Sequence, residues 1–220
     1  MTTPYRAVVF DLDGVLWDGE PIYHEAFNIV LKDLGHHINT EEYEQIIGNS
    51  VEAAWAWVLD HFHIEGDPRH FYREYDDAVH KLLAEPVDPL PGVRELLAEL
   101  EARHIPVGLA SASLRQWVDA TLSGIGLKDA FRTTVSASEV EHAKPAPDLY
   151  LKAAANLGID PTYCIAVEDT RAGVRSAKSA GMYVIQTRAA STALAPIEEA
   201  DAVIENYGEF DLGLLAPATS

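Results

Sequence analysis

Ala7-Val8-Val9-Phe10-Asp11-Leu12-Asp13-Gly14 decides how this chain is read. Four apolar residues run without a break into two carboxylates and a glycine. A strand apolar at every position, rather than at alternate ones, is buried on both faces, as strands are in a parallel sheet between helical layers. Working outward, similar runs recur at Val107–Ala110, Ile165–Val167, Tyr183–Ile185 and Ala202–Ile204, with a weaker one at Thr133–Ser136. Between them, Val93–Arg103, Ser113–Gly124, Asp148–Leu157 and Arg171–Ala180 carry apolar residues at three- and four-residue steps. Ser113 with Gln116 predicts a capping box, Pro147 precedes one helix, and Gly158 and Gly181 predict helix ends.

The stretch from Asp18 to Glu85 breaks this alternation. Ile22, Tyr23, Ala26, Phe27, Val30, Leu31 and Leu34 form a helical stripe ending at Gly35, and Val51–Phe62 and Phe71–Leu83 also read as helices. No strand run interrupts them, and Glu85-Pro-Val-Asp-Pro-Leu-Pro-Gly92 then reads as a stiff linker. The expected architecture is an α/β, Rossmann-like parallel sheet core over residues 1–17 and 88–220, with an inserted all-helical cap over 18–87.

Composition bounds the partners. Thirty-five Asp+Glu against 16 Lys+Arg give a net charge of -19 over 220 residues. Nucleic acid and anionic membrane both call for a basic surface, so neither is expected as a partner. An anionic small molecule would have to be held by a few local cations and a metal. The single cysteine, Cys164, excludes an intramolecular disulfide and lies in an apolar run, which predicts a buried thiol in a reducing compartment. The first apolar run is too short for a signal peptide or a membrane span, and a cytoplasmic location is expected.

In open α/β sheets, ligands gather at the carboxyl ends of the strands. Asp11 and Asp13 follow the first strand, Ser111 follows Val107–Ala110, and Glu168 and Asp169 follow Ile165–Val167. Lys144 stands in Lys144-Pro-Ala-Pro-Asp148, just before a helix. Carboxylates at one rim repel unless a cation sits among them, and an all-oxygen site suits Mg²⁺. A carboxylate can attack phosphorus, and a second one two residues on can protonate the leaving oxygen and then activate water.

These residues resemble the haloacid dehalogenase superfamily over nearly the whole chain. Its first motif is matched by Asp11-Leu-Asp-Gly-Val-Leu, its second by Ser111, its third by Lys144 and its fourth by Glu168-Asp169. The helical insert looks like the cap of the phosphatase and β-phosphoglucomutase branch. The resemblance implies a Mg²⁺-dependent phosphatase of a small phosphorylated metabolite, such as a sugar phosphate, working through an aspartyl-phosphate on Asp11. Asp13 would be acid/base. Ser111, Ala112 and Lys144 would hold the phosphate. Asp11, Asp169 and the main-chain carbonyl of Asp13 would hold the metal, with Glu168 beside them. Trp17, Tyr23, His24 and Arg73 are candidate contacts at or in the cap, which would act as a lid.

Two alternatives belong beside this reading: a β-phosphoglucomutase-type mutase, and a non-catalytic binder of a phosphorylated metabolite. Mutase caps supply a histidine soon after the first motif and an arginine in a Gly-Xaa-Ser-Arg segment. Here Tyr23 takes the histidine position, with His24 one residue late, and Gly48-Asn-Ser-Val51 replaces the arginine with Val51. Those losses favour the phosphatase. Gly124-Ile-Gly126 lacks the third glycine of a dinucleotide fingerprint, and the nine histidines show no zinc-ligand spacing.

Overall fold

A computed structural model of the chain describes residues 4–47, 50–191 and 195–216. Six strands, β1 (Ala7–Phe10), β2 (Val107–Ala110), β3 (Thr133–Val135), β4 (Cys164–Glu168), β5 (Tyr183–Thr187) and β6 (Ala202–Ile204), form one sheet in the order β3-β2-β1-β4-β5-β6. Every pairing is parallel. β1, β2 and β4 are buried at every position, which is why their sequences carry no polar side chain except Glu168 at the end of β4.

Helices α5 (Val93–Ala102), α6 (Arg115–Gly124), α7 (Asp148–Leu157) and α8 (Arg171–Ser179) alternate with these strands. Leu149, Ala153, Ala154 and Leu157 of α7, with Val174 and Ala177 of α8, close over Ala7, Val9, Ala166 and Val184 of the sheet in one core. The parallel α/β fold read from the sequence is therefore observed. α7 stops at Gly158 as expected, and Gly181 follows the end of α8.

The chain divides into two compact units, Met1–Asp18 with Val87–Ser220, and Gly19–Pro86. Among the described residues, the regular elements of the second are helices: α1 (Glu20–Asp33), α2 (Thr40–Tyr43), α3 (Val51–His61) and α4 (Pro68–Leu82). Its core is aromatic. Phe27 packs on Trp55 and Tyr75 at ring-centroid distances of 4.8 and 4.7 Å, and Trp55 stacks on Phe71 at 5.2 Å. Among the described residues, no helix is long and apolar enough to cross a membrane.

Candidate active site

The strand order reverses at β1, which lies between β2 and β4. That is the place where an open parallel sheet leaves a crevice at its carboxyl edge. The ladder runs one step past each strand there. Asp11 N–H donates to Val167 O at 3.0 Å and Ser111 N–H donates to Val135 O at 2.9 Å. Both residues are thus fixed by backbone bonds, and Ser111 is fully buried while Asp11 is 7% exposed.

Lys144 reaches this rim from the loop before α7. Ser176 of α8 holds that loop by donating its hydroxyl to Ala146 O at 2.5 Å. The Lys144 ammonium donates to Asp11 Oδ1 at 2.5 Å and lies 2.6 Å from Glu168 Oε1. Glu168 is fully buried. Its Oε1 also accepts from Tyr150 Oη at 2.7 Å, and its Oε2 accepts from Asp169 N–H at 3.2 Å and Thr170 Oγ1 at 3.3 Å. The side chain is accommodated only because residue 173 is glycine: a Cβ there would lie 1.9 Å from Glu168 Oε1.

Asp11, Glu168 and Asp169 bring carboxylate oxygens within 4.8 Å of one another. Lys144 offsets only part of that charge. Burial pushes the Asp11 carboxyl well above its ordinary range, against Lys144 and with Glu168 and Asp169 reinforcing it. Burial, with Glu168 beside it, pushes Asp169 up to about 7. Lys144 stays firmly protonated, because Asp11 and Glu168 outweigh the effect of its burial.

Asp169 Oδ1 is buried without a hydrogen-bond partner. Buried carboxylate oxygens are normally satisfied. An unsatisfied oxygen, in an all-oxygen cluster with surplus negative charge, fits a hard divalent cation. Gly14 shapes the same place: it has φ +73°, and a Cβ on it would lie 2.1 Å from Asp169 Oδ2. The backbone after Asp13 therefore approaches Asp169 as only glycine permits.

Asp13 is half-buried and faces different partners. Its Oδ1 accepts from the Trp17 indole N–H at 3.1 Å and its Oδ2 from Ser113 Oγ at 2.9 Å. Ser113 N–H in turn donates to Ser111 Oγ at 3.0 Å. The capping box expected from Ser113 and Gln116 does not form; α6 begins at Arg115, with Leu114 at its cap position and no side-chain cap. A hydroxyl bonded to a carboxylate is held more strongly than one bonded to a neutral amide, so Asp13 outcompetes the helix end. Trp17, a candidate substrate contact, is fully buried, with its indole turned to Asp13. Ala112 is exposed between the two serines.

The remaining candidates lie in the helical unit. His24 is engaged there: its Nε2–H donates to Ile38 O at 2.8 Å, and its ring stacks on Tyr43 at 4.5 Å. Tyr23 is half-buried on α1 and Arg73 is exposed on α4. Val51 is exposed, and Gly48 and Asn49 of the same segment lie outside the described residues. Cys164 is buried as expected, its thiol pushed up to about 12 by burial.

Sequence reasoning did not single out Tyr150 or Ser176 as parts of this site. Tyr150 could have been noticed as a polar-tipped residue among the inward-facing positions Leu149, Ala153 and Ala154 of α7.

A family model described as haloacid dehalogenase-like hydrolase matches residues 8–187. The fructose-1-phosphate phosphatase of Escherichia coli is 32% identical over 184 residues, 84% of this chain and 97% of that protein. A β-phosphoglucomutase of Bacillus subtilis is 30% identical over 223 aligned positions, 96% of this chain and 93% of its own. A crystal structure of a haloacid dehalogenase family hydrolase from Deinococcus radiodurans, with bound phosphate and sodium, is 29% identical. It superposes with a TM-score of 0.75 over 98% of this chain and 99% of that one.

Proposed function

The chain belongs to the haloacid dehalogenase-like hydrolases, and from that premise we propose that it is a Mg²⁺-dependent phosphatase of a small phosphorylated metabolite, of the sugar-phosphate kind. The observation that carries this reading is the buried contact of Lys144 with Asp11, beside an unsatisfied Asp169 and two residues before a separately held Asp13.

Asp11 has the position of a nucleophile. Its carboxylate attacks phosphorus, the bond from phosphorus to the leaving oxygen breaks, and an aspartyl-phosphate forms. Ser111, Ala112 and Lys144 would hold the phosphate oxygens, Lys144 supplying the cation that two anionic reactants require. Asp13 gives its proton to the leaving alkoxide. It then takes a proton from water as that water attacks the aspartyl-phosphate, so free phosphate and the original carboxylate return. Mg²⁺ held by Asp11, Asp169 and the Asp13 carbonyl, with Glu168 beside them, would neutralise charge on the phosphoryl group.

A second reading is favoured by one finding, the near full-length similarity to a β-phosphoglucomutase. A mutase must retain a doubly phosphorylated intermediate while it turns over. Val51 stands where such caps carry an arginine, and that removes a cation suited to the task. The phosphatase is therefore preferred, and the intact set of reacting groups disfavours a silent binder.

Inorganic phosphate release from a panel of small phosphomonoesters, with Mg²⁺ and with excess chelator, tests the proposal, with Asp11→Asn as blank. Metal-dependent release that vanishes in the variant is expected. Interconversion of glucose 1-phosphate without phosphate release would establish the mutase instead.

A further inference from the structure

The chemistry above gives Tyr150 no task, yet its ring and hydroxyl are both placed against the reacting groups. It lies in the first turn of α7 and is fully buried. If that position only needed filling, phenylalanine would serve, whereas a buried phenol needs a partner for its hydroxyl. The partner is Glu168 Oε1, at 2.7 Å. That same oxygen receives the Lys144 ammonium at 2.6 Å, and the ammonium sits 5.3 Å from the centroid of the Tyr150 ring. The phenol thus orients the carboxylate with its hydroxyl and faces the cation with its ring.

Glu168 is held from the other side as well. Its Oε2 accepts from the Asp169 and Thr170 N–H groups and the Thr170 hydroxyl. Both oxygens are therefore engaged by the protein, which distinguishes Glu168 from Asp169 and its unsatisfied Oδ1. Without the phenol hydroxyl, Oε1 would keep one donor, Lys144. The carboxylate could then turn, and the ammonium it anchors would leave Asp11.

We propose that Tyr150 is a positioning residue of the active site: acting through Glu168, it sets the Lys144 ammonium against Asp11. Its effect on rate rests on the phosphatase reading; its effect on the position of Lys144 does not.

The test uses the full chain with Tyr150→Phe, Glu168→Gln and the double variant. In lysine-labelled protein, the ¹⁵N resonance of the Lys144 ammonium, assigned through Lys144→Met, is expected to shift in Tyr150→Phe and in Glu168→Gln. kcat/KM of Tyr150→Phe is expected to fall on the order of tenfold or more, as for a displaced positioning group. In the Glu168→Gln background the same change should cost nothing further, because a residue acting through another is not additive with it. A melting temperature close to wild type would show that the loss is not unfolding. An unchanged Lys144 resonance, a kcat/KM within twofold of wild type, or full additivity of the two substitutions would each overturn the proposal. If Tyr150→Phe does not fold, Glu168→Gln alone decides: an unshifted Lys144 resonance there overturns it. A wild-type chain that hydrolyses no phosphomonoester would instead defeat the proposed function, while the Lys144 resonance would still decide the role of Tyr150.

Discussion

Asp11 and Asp13 are the same side chain two positions apart, and the fold gives them opposite surroundings. Asp11 is buried against a cation, which suits a carboxylate that must stay in place and attack. Asp13 is half-buried between two neutral donors, the Trp17 indole and the Ser113 hydroxyl, one on each oxygen. Neutral donors orient a carboxyl without setting a fixed charge against it. Removing one of them should blunt proton transfer more than binding. Ser113→Ala is expected to lower kcat about tenfold, since a hydrogen bond to a charged acceptor is worth about 1.5 kcal/mol or more. KM should stay within about twofold, because the uniform binding of substrate is untouched. Steady-state kinetics on the best substrate checks this, and an unchanged kcat would show that Trp17 alone suffices to hold Asp13.

At the level of elements, the junction of β4 and α8 carries the tightest constraint. Glu168 ends the strand and Gly173 lies in the first turn of the helix, so the carboxylate fits only where no Cβ stands. Gly173→Ala should destabilise the chain by about 1–3 kcal/mol, the usual cost of overpacking a filled interior. Thermal unfolding should show it, and an unchanged melting temperature would mean that α8 slides freely on the strand. The strands were legible from their apolar runs, with only the weaker signal of Thr133–Ser136 for β3, yet their ends were not. β4 and β5 run on to Glu168 and to Gln186 and Thr187, polar residues that a periodicity argument assigns to loops. They remain strand because the fold satisfies them: Gln186 bonds Ala195 O and Ile197 N–H, and Glu168 bonds Tyr150 and its own following turn. α2 escaped notice because four residues make no stripe, although Asn39 and Glu42 form a reciprocal capping box. In the site, each motif could be read locally, three from strand ends and Lys144 from the loop before α7. The contacts of Ser113 with Asp13 and of Tyr150 with Glu168 span 100 and 18 residues, and no local period encodes such pairs.

Across the whole molecule, the charge of -19 works against the chemistry at the rim. An anionic substrate approaches a field of its own sign, and Lys144, with its side chain only 6% exposed, projects little attraction outward. The two effects act over different distances. Surface charges act over about 30 Å at 0.01 M ionic strength but only about 8 Å at 0.15 M, whereas buried contacts are screened far less. Salt should therefore remove the repulsion while leaving the binding contacts in place. At saturating Mg²⁺, kcat/KM for a phosphomonoester is expected to rise several-fold as potassium chloride brings the ionic strength from about 0.01 to about 0.15 M, with kcat nearly constant. The gain belongs to KM, because the field governs how often the anion reaches the rim and not what happens there. A kcat/KM that falls with salt would mean that cations near the rim outweigh the acidic surface, and that the approach to the site is electrostatically guided despite the overall charge.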